Sequence, residues 1–256
     1  MDSNVPANLK GESIDDVIQS LTKIIEWAKL HKSRLGYFAA LYRKVTRRVK
    51  DGIANGEFEN GQRMERLDVI FANRYLEAFE QFHALKETTV SWKLAFDTSK
   101  RWRPIVLQHL LLAMNTHIDL DLGVAAAETV QPEQLKNLKK DFYKINEILA
   151  SLVNDVQDEL SQVWPLLKLL DRLAGRVDES LANFGMKISR GHAWSVAEML
   201  APLAPADRIN KIKDLDHDIS EIGKTISYQG FIIWFVLLLI RIGEMRSVPK
   251  IIQILE

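Results

Sequence analysis

The stretch that most constrains this fold covers residues 104–127, PIVLQHLLLAMNTHIDLDLGVAAA, which is apolar on nearly every side of a helix but polar in its middle. A helix that is hydrophobic all round belongs in the interior of a protein. Charged groups stay in such an interior only when they are paired, hydrogen-bonded or bound to a metal. The sequence therefore predicts a buried central helix whose polar residues need partners from other elements.

The polar residues of this helix fall into separate stripes. At about 100° per residue, Gln108, Asn115 and Asp119 lie within about 40° of one another. His117 and Asp121 form a second pair on nearly the opposite side. Asn115 and Asp119 are four residues apart, as are His117 and Asp121, and at that spacing helical side chains touch or share a ligand.

Charge and composition exclude several classes of protein. The 34 Lys and Arg residues balance the 34 Asp and Glu residues, so no net charge attracts nucleic acid, and we expect no nucleic-acid partner. The absence of cysteine excludes disulfides, thiolate metal sites, iron–sulfur clusters and cysteine nucleophiles. The N-terminus has neither the basic start nor the apolar core of a signal peptide. We therefore expect a cytoplasmic protein in which residues 1–12 form a loose arm.

The longest uninterrupted apolar run covers residues 231–240, FIIWFVLLLI. As a helix it would be about 15 Å long, against a membrane core of about 30 Å. It is therefore too short to span a membrane. Three interpretations stay open: a buried core helix, a homodimer contact through residues 229–243, or peripheral association with a membrane.

Helical periodicity with short breaks runs along the whole chain. Ser13 and Asp16 form a capping pair at the start of the first helix, and the breaks after residue 164 predict short helices over 165–184. No convincing strand pairs are visible. The sequence predicts an all-α fold, a single domain over residues 1–256 in which about ten helices pack around 104–127. Gly123 lies inside the central helix and predicts the close approach of another backbone.

Two charged residues of the third predicted helix, MERLDVIFANRYLEAF at 64–79, lie on apolar strips. Asp68 shares its strip with Tyr75 and Phe79, and Arg74 is similarly isolated. A charge on an apolar strip needs a partner. Either these residues form a buried salt bridge or helix-to-helix hydrogen bonds, or Asp68 is a site carboxylate and Arg74 binds an anion.

Two stretches, LDVIFANRYLEAF at 67–79 and MNTHIDLDLG at 114–123, resemble the paired signatures of an uncharacterised bacterial family of helical proteins, a domain of unknown function. The similarity covers roughly residues 36–127, with a weaker echo in RGHAWSVAEML at 190–200. In that family the second motif is typically Met-Asn-x-His-Ile-Asn-x-Asp-Leu, so this chain departs from it at Asp119, where asparagine is expected. The matching positions are Asp68, Asn73, Arg74, Tyr75, Asn115, His117 and Asp121. The resemblance implies that these residues belong together and implies no particular reaction.

The first functional hypothesis is a metal-dependent hydrolase. Imidazole and carboxylate four residues apart, as in His117 and Asp121, can bind one divalent ion, Zn or Fe/Mn, from one side of a helix. Asp68 is the candidate third ligand. The ion would activate water for hydrolysis of an ester or phosphoester, and Arg74 would hold the anionic part of the substrate. Further ligands would come from Glu65, His83 or His192.

The second hypothesis is metal-free acid–base catalysis in an apolar pocket. Asp121 or Asp68 would orient His117 and raise its basicity, for isomerisation, dehydration or cyclisation of a small hydrophobic molecule. The candidate substrate-binding residues are Arg74, Asn115, Tyr75 and Asp119. The third hypothesis is a non-catalytic helical binding or interaction protein whose inner polar residues form a closed structural network. No P-loop, dinucleotide-binding glycine pattern or serine nucleophile elbow is visible, and the three hypotheses stay open.

Overall fold

The computed structural model describes residues 4–164, 191–227 and 230–256. Over these residues the chain forms eleven α-helices and no strand, which confirms the predicted all-α fold. In chain order the helices are α1 (Ile14–Leu30), α2 (Leu35–Ala54), α3 (Gly61–His83), α4 (Val90–Ser99), α5 (Val106–Thr116), α6 (Leu122–Thr129), α7 (Leu135–Val163), α8 (His192–Leu200), α9 (Pro205–Ser227), α10 (Gly230–Gly243) and α11 (Val248–Leu255). The helices predicted over 165–184 lie outside the described residues.

The start of α1 is a complete capping box. The Ser13 hydroxyl accepts a hydrogen bond from the backbone N–H of Asp16 at 3.2 Å, and the Asp16 carboxylate accepts one from the backbone N–H of Ser13 at 3.0 Å. This reciprocal pair satisfies two N–H groups that have no partner within the helix. The predicted start of the first helix is therefore confirmed.

The N-terminal arm is anchored over residues 9–11, where the sequence predicted a loose segment. Leu9 is fully buried, and its N–H donates to the Glu80 carboxylate at 2.9 Å. The Asn73 side chain pairs with both backbone groups of Gly11, at 2.8 and 2.9 Å. The arm is held because the polar face of α3 offers these side chains to its backbone.

The buried central helix is a continuous rod over Val106–Thr129, formed by α5, one π-helical turn (His117–Asp121) and α6. It begins at Val106, two residues after the proline at which the sequence placed its start. Within the described part of the chain it is the one helix long and apolar enough to cross a membrane. Its most apolar window is buried throughout against other helices, as expected of a core helix.

Helices pack on different sides of this rod. Helices α2, α3 and α4 cover one side, α9 runs along α5, and α8 lies against α6. On the α9 side, Gln108 donates to the carbonyl oxygen of Ile226 at 2.9 Å, and Asn115 donates to that of Ile219 at 3.0 Å. The first predicted polar stripe therefore holds the central helix against the backbone of α9.

Helix α10 contains the apolar run that the sequence singled out. Of its described side chains, Leu239 and Ile242 are about half exposed and Ile240 is buried. The dimer contact through residues 229–243 and the peripheral membrane association stay predictions.

Gly123 lies where α6 packs closely against α8. A Cβ built on Gly123 would lie 2.6 Å from the Cβ of Val196 and 2.8 Å from the carbonyl oxygen of Ala193. Real Cβ atoms do not approach other atoms so closely, so the packing requires glycine here. The predicted close backbone approach is confirmed.

We expect Gly123→Ala to lower the free energy of unfolding by about 1–3 kcal/mol, because backbone atoms of α8 have to move to admit the methyl group. Gly223→Ala is the matched control, since the added Cβ would meet only a terminal methyl carbon of the Leu94 side chain at 2.9 Å, and a side-chain end can shift more easily than backbone. Alanine is also the better helix former by about 1 kcal/mol. Urea denaturation measures both variants, and equal destabilisation would contradict this account of α6 and α8.

Candidate active site

The candidate site begins at the π-helical turn of the central helix. The N–H of Leu122 donates to the carbonyl oxygen of His117, a bond that spans five residues where an α-helix spans four. Such single π-turns occur frequently at functional sites. The side chains of His117 and Asp121 both point towards α3 and are buried, with exposures of 2% and 1%. Their i,i+4 spacing brings His117 Nδ1 to 3.1 Å from Asp121 Oδ2.

The Asp121 carboxylate accepts hydrogen bonds from three different side chains. Arg74 Nε of α3 donates to Oδ1 at 2.7 Å, and Trp92 Nε1 of α4 donates to Oδ2 at 2.9 Å. The third donor is the His117 imidazole of the same turn. Burial opposes the charge on Asp121, but the Arg74 charge and these hydrogen bonds outweigh burial and lower the pKa of the carboxyl. Asp121 is therefore a buried carboxylate that stays ionised.

The Asp121 contact fixes the tautomer of His117. An ionised carboxylate only accepts hydrogen bonds, so Nδ1 carries the proton and Nε2 carries a lone pair. Burial lowers the pKa of His117, and its hydrogen bond to Asp121 offsets that effect only in part. Nε2 is buried and has no hydrogen-bond partner among the described residues. The imidazole is thus neutral, with an unused acceptor in the protein interior.

Aromatic rings surround the imidazole. Phe71 stacks on it with a centroid distance of 3.7 Å and an interplanar angle of 9°. Tyr42 meets it edge-on at 4.5 Å. Phe38, Trp92 and Tyr75 complete the enclosure, with centroids 5.5, 5.8 and 6.1 Å from the imidazole. We call these five rings the aromatic box.

Asp68 is a second carboxyl group beside the aromatic box, and it is protonated at neutral pH. Burial raises the pKa of Asp68 to about 8, and the nearby charge of Glu65 adds to the effect. Tyr42 lies close enough that, after burial itself, the charge of Asp68 is the next contribution to raising the Tyr42 pKa. Asp68 Oδ2 and the hydroxyls of Tyr42 and Tyr75 form no hydrogen bond within the described ranges. Buried polar groups normally have partners, so this cluster has unused hydrogen-bonding capacity.

The structure divides the residues predicted to form the site. Asp121 contacts both His117 and Arg74, and Tyr75 faces the imidazole. Asp68 lies near Tyr42, another ring of the aromatic box. Asn115 faces α9 on the other stripe, and Asp119 is buried with interactions inside the protein. The sequence analysis did not place Tyr42, Phe71 or Trp92 in the site. Trp92 carried a signal, since an indole N–H in a short apolar helix needs an acceptor.

The residues proposed as additional metal ligands do not join His117. The Glu65 carboxylate accepts from the N–H of Ile14 at 3.3 Å, His83 Nδ1 contacts the carbonyl oxygen of Phe79 at 2.9 Å, and His192 is exposed. Both oxygens of Asp121 already accept hydrogen bonds. In residues 4–164, 191–227 and 230–256 no three His, Asp or Glu side chains form a group able to hold a metal ion.

These features define an all-α protein with a buried His–Asp pair inside an aromatic enclosure. The family model described as "Family of unknown function (DUF5995)" matches residues 14–229, which include α1 to α9, and the chain belongs to this family. No curated protein and no solved structure matches the chain.

The Arg74–Asp121 contact can be tested by a double-mutant cycle. We expect Arg74→Met to lower the free energy of unfolding by about 3–5 kcal/mol, because it leaves a buried carboxylate without its cation. Asp121→Asn leaves the cation without its carboxylate, whereas the double variant leaves no unpaired charge. The double variant should therefore lose less stability in urea denaturation than the two single losses combined. Additive losses would contradict a direct ion pair.

The raised pKa of Asp68 predicts a pH-dependent gain from Asp68→Asn. Between about pH 4, where unfolded aspartate loses its proton, and the folded pKa of about 8, the folded state holds one more proton than the unfolded state. The free energy of unfolding therefore falls with rising pH, by at most about 1.4 kcal/mol per pH unit from this group. Asparagine does not titrate, so the variant's stability relative to wild type should rise across this window. A pH-independent difference in urea titrations would show that Asp68 is ionised in the folded protein.

Proposed function

We propose that this protein is an enzyme that transfers protons on a small, mostly apolar molecule without a metal ion, with His117 as general base and Asp68 as general acid. The observation that carries the proposal is a pair of unused polar atoms, His117 Nε2 inside the aromatic box and Asp68 Oδ2 of the carboxyl that interacts with Tyr42 of the box. One belongs to a neutral base and the other to a protonated acid. The natural reaction for such a pair is isomerisation by proton transfer between two positions of the substrate.

The environments of the two groups support this assignment of roles. Burial lowers the pKa of His117 and raises that of Asp68 to about 8, so both are neutral near pH 7. A base must be unprotonated and an acid protonated when the substrate arrives. Titratable groups whose surroundings push their pKa values in opposite directions are typical of acid–base pairs.

The Asp121 network supports the base. His117 Nε2 would accept a proton from the substrate, and the imidazolium so formed would be stabilised by the Asp121 carboxylate at Nδ1. Arg74 and Trp92 hold that carboxylate in place, so it keeps its orientation while the charge on the ring changes. Asp121 and Arg74 are thus positioning residues in this proposal.

The reaction balances without a co-reactant. His117 removes a proton from one substrate atom, and Asp68 gives its proton to another, so the substrate changes structure but not composition. After release of the product, the proton on His117 returns to the Asp68 carboxylate directly or through water. The aromatic walls favour an apolar substrate, and the hydroxyls of Tyr42 and Tyr75 are available to bind a substrate oxygen. Access to Nε2 requires side chains of the aromatic box to move apart.

The alternative from the sequence is metal-dependent hydrolysis of an ester or phosphoester by His117, Asp121 and Asp68. It is less favoured here because Asp121 already accepts three hydrogen bonds and would have to release some of them to bind an ion. A non-catalytic interaction protein is the other alternative. Isotope labelling separates all three.

The proposed function is tested by incubating the protein with a cell-derived small-molecule extract in D₂O and, separately, in H₂¹⁸O. We expect mass spectrometry to show at least one compound that gains deuterium at carbon without gaining ¹⁸O. This exchange should persist in a chelator, be lost in His117→Gln and be strongly reduced in Asp68→Asn. Incorporation of ¹⁸O that a chelator abolishes would instead indicate a metal-dependent hydrolase. No protein-dependent change in any compound would contradict an enzyme.

A matched variant separates catalysis from folding. Gln108 is buried in the same helix but faces α9, so Gln108→Met should keep the exchange activity. His117→Gln should unfold at nearly the wild-type urea concentration or a higher one, because active-site polar residues are often retained at the expense of stability. A large loss of stability in His117→Gln, with no activity in the wild type, would favour a closed structural network.

A further inference from the structure

A second group of unused polar atoms lies next to the aromatic box, around Arg34 at the start of α2. Arg34 Nη1 donates to the carbonyl oxygen of Ser99 at 3.0 Å. Arg34 Nε and the hydroxyl of the buried Tyr37 have no hydrogen-bond partner within the part of the chain that the structure describes. The Nε side of the guanidinium therefore still has a donor to offer to a ligand.

The charges around Arg34 do not balance. Burial has the largest effect on the Arg34 pKa and lowers it, and Tyr37, Arg241 and Glu244 have smaller effects; Arg241 is a cation and Glu244 an anion. Arg241 Nη1 already pairs with Glu244 at 2.7 Å, and that carboxylate also accepts from the N–H of Val106 at 2.9 Å. Among the described residues, one positive charge at Arg34 is thus left without a matching anion in a partly buried place.

Arg34 stands where two empty spaces meet. A surface groove of about 410 Å³ is lined by residues of α1, α3 and the segments that follow them, among them Trp27, His31, Lys32 and Phe82. A small inner cavity of about 20 Å³, room for about one water molecule, lies behind it. Arg34, Leu35 and Ser99 line both spaces.

The inner cavity shares its walls with the aromatic box. Phe38, Tyr75 and Trp92 line the cavity, and the same three rings face the His117 imidazole at centroid distances of 5.5–6.1 Å. The cavity and the imidazole therefore share three walls. Shared residues thus link the groove to the cavity through Arg34, and the cavity to the proposed base through the three rings.

The chemistry of the groove fits an anion with an apolar body. Among its described lining residues there is no Asp or Glu, whereas Lys32, Lys100 and Arg34 are cations. Lys100 is partly neutralised by Asp97, at 3.2 Å. Trp27 and Phe82 supply apolar surface, and an arginine guanidinium binds a planar carboxylate through two parallel hydrogen bonds.

We infer that Arg34 is the anion-binding residue of the substrate site, and that the substrate is a small carboxylate with a flat apolar body that enters through the groove. The carboxylate binds the Nε side of the Arg34 guanidinium, near Tyr37, and the apolar body reaches between Phe38, Tyr75 and Trp92 towards His117. The sequence placed the anion-binding role on Arg74, but that guanidinium is bound to Asp121. This inference names the substrate class of the proposed enzyme and so rests on that function, although binding at Arg34 is measured without turnover.

Binding is tested with a pair of probes of nearly equal shape, 4-phenylbutyrate and its neutral amide, 4-phenylbutanamide. Titrations are followed by calorimetry and by the ¹H–¹⁵N signal of Arg34 Nε, assigned from its loss in Arg34→Lys. We expect the carboxylate to shift the Arg34 signal and to bind at least about tenfold more tightly than the amide, a difference of about 1.4 kcal/mol. Failure of the carboxylate to bind at millimolar concentration, or binding that leaves the Arg34 signal unmoved, would overturn the inference.

Variants identify the group responsible. Arg34→Gln should remove the preference for the carboxylate and leave affinity for the amide unchanged. Arg34→Lys, which keeps the charge but loses the planar fork, should retain part of the preference. Lys213→Gln, an exposed position on α9 outside the groove, controls for net charge and should bind both probes as the wild type does. Equal weakening of both probes by Arg34→Gln would show a structural role and overturn the inference.

The outcome separates this inference from the proposed function. Carboxylate binding at Arg34 with no deuterium exchange would support the anion site and contradict the proposed enzyme activity. Deuterium exchange that requires His117 but is unaffected by Arg34→Gln would support the proposed enzyme activity and contradict the anion site. Thermal melting of Arg34→Gln checks its fold, and we expect at most a small loss, because the change removes the hydrogen bond to Ser99 but relieves repulsion from Arg241.

Discussion

The arrangement of the central helices depends on the hydrogen bonds to the buried carboxylate of Asp121. Its three donors come from α3, α4 and the π-turn, so one ionised group fixes three elements relative to one another. A buried charge is costly without such partners. Arg74 and Trp92 must therefore stay within hydrogen-bond distance of Asp121. The same contacts hold the imidazole of His117 in one tautomer. The contacts that hold the helices together are therefore the same contacts that set the protonation of the His117 ring.

The two polar sides of the central helix are treated differently. On the α9 side, Gln108 and Asn115 reach backbone carbonyls and are satisfied. On the α3 side, Asp121 is satisfied while Nε2 of His117 and Oδ2 of Asp68 are not. Since interiors rarely leave polar atoms without partners, this contrast is the reason why we propose a ligand site on the α3 side.

Much of this organisation was readable from the sequence, because helical periodicity reports burial directly. Buried strips identified Asp68 and Arg74 as residues in need of partners, and i,i+4 spacing identified the His117–Asp121 pair. Periodicity does not say which helix faces a strip, so the Arg74–Asp121 contact could not be chosen over one with Asp68. The anchoring of the N-terminal arm depends on side chains more than sixty residues away along the chain, a distance at which local patterns carry no information.

The π-turn was also invisible to an argument that assumes 100° per residue, and it has a structural consequence of its own. The wider turn inserts a phase shift between the two halves of one rod. The α5 half is set by its contacts with α9, and the α6 half is set by Gly123 against α8. In a uniform α-helix the rotation of the α5 half about the helix axis would fix that of the α6 half. A rotation that suits the contacts with α9 would then change the contacts with α8. The wider π-turn rotates one half of the rod relative to the other, so each half can pack against its own neighbour. His117 and Asp121 are the first and last residues of that turn.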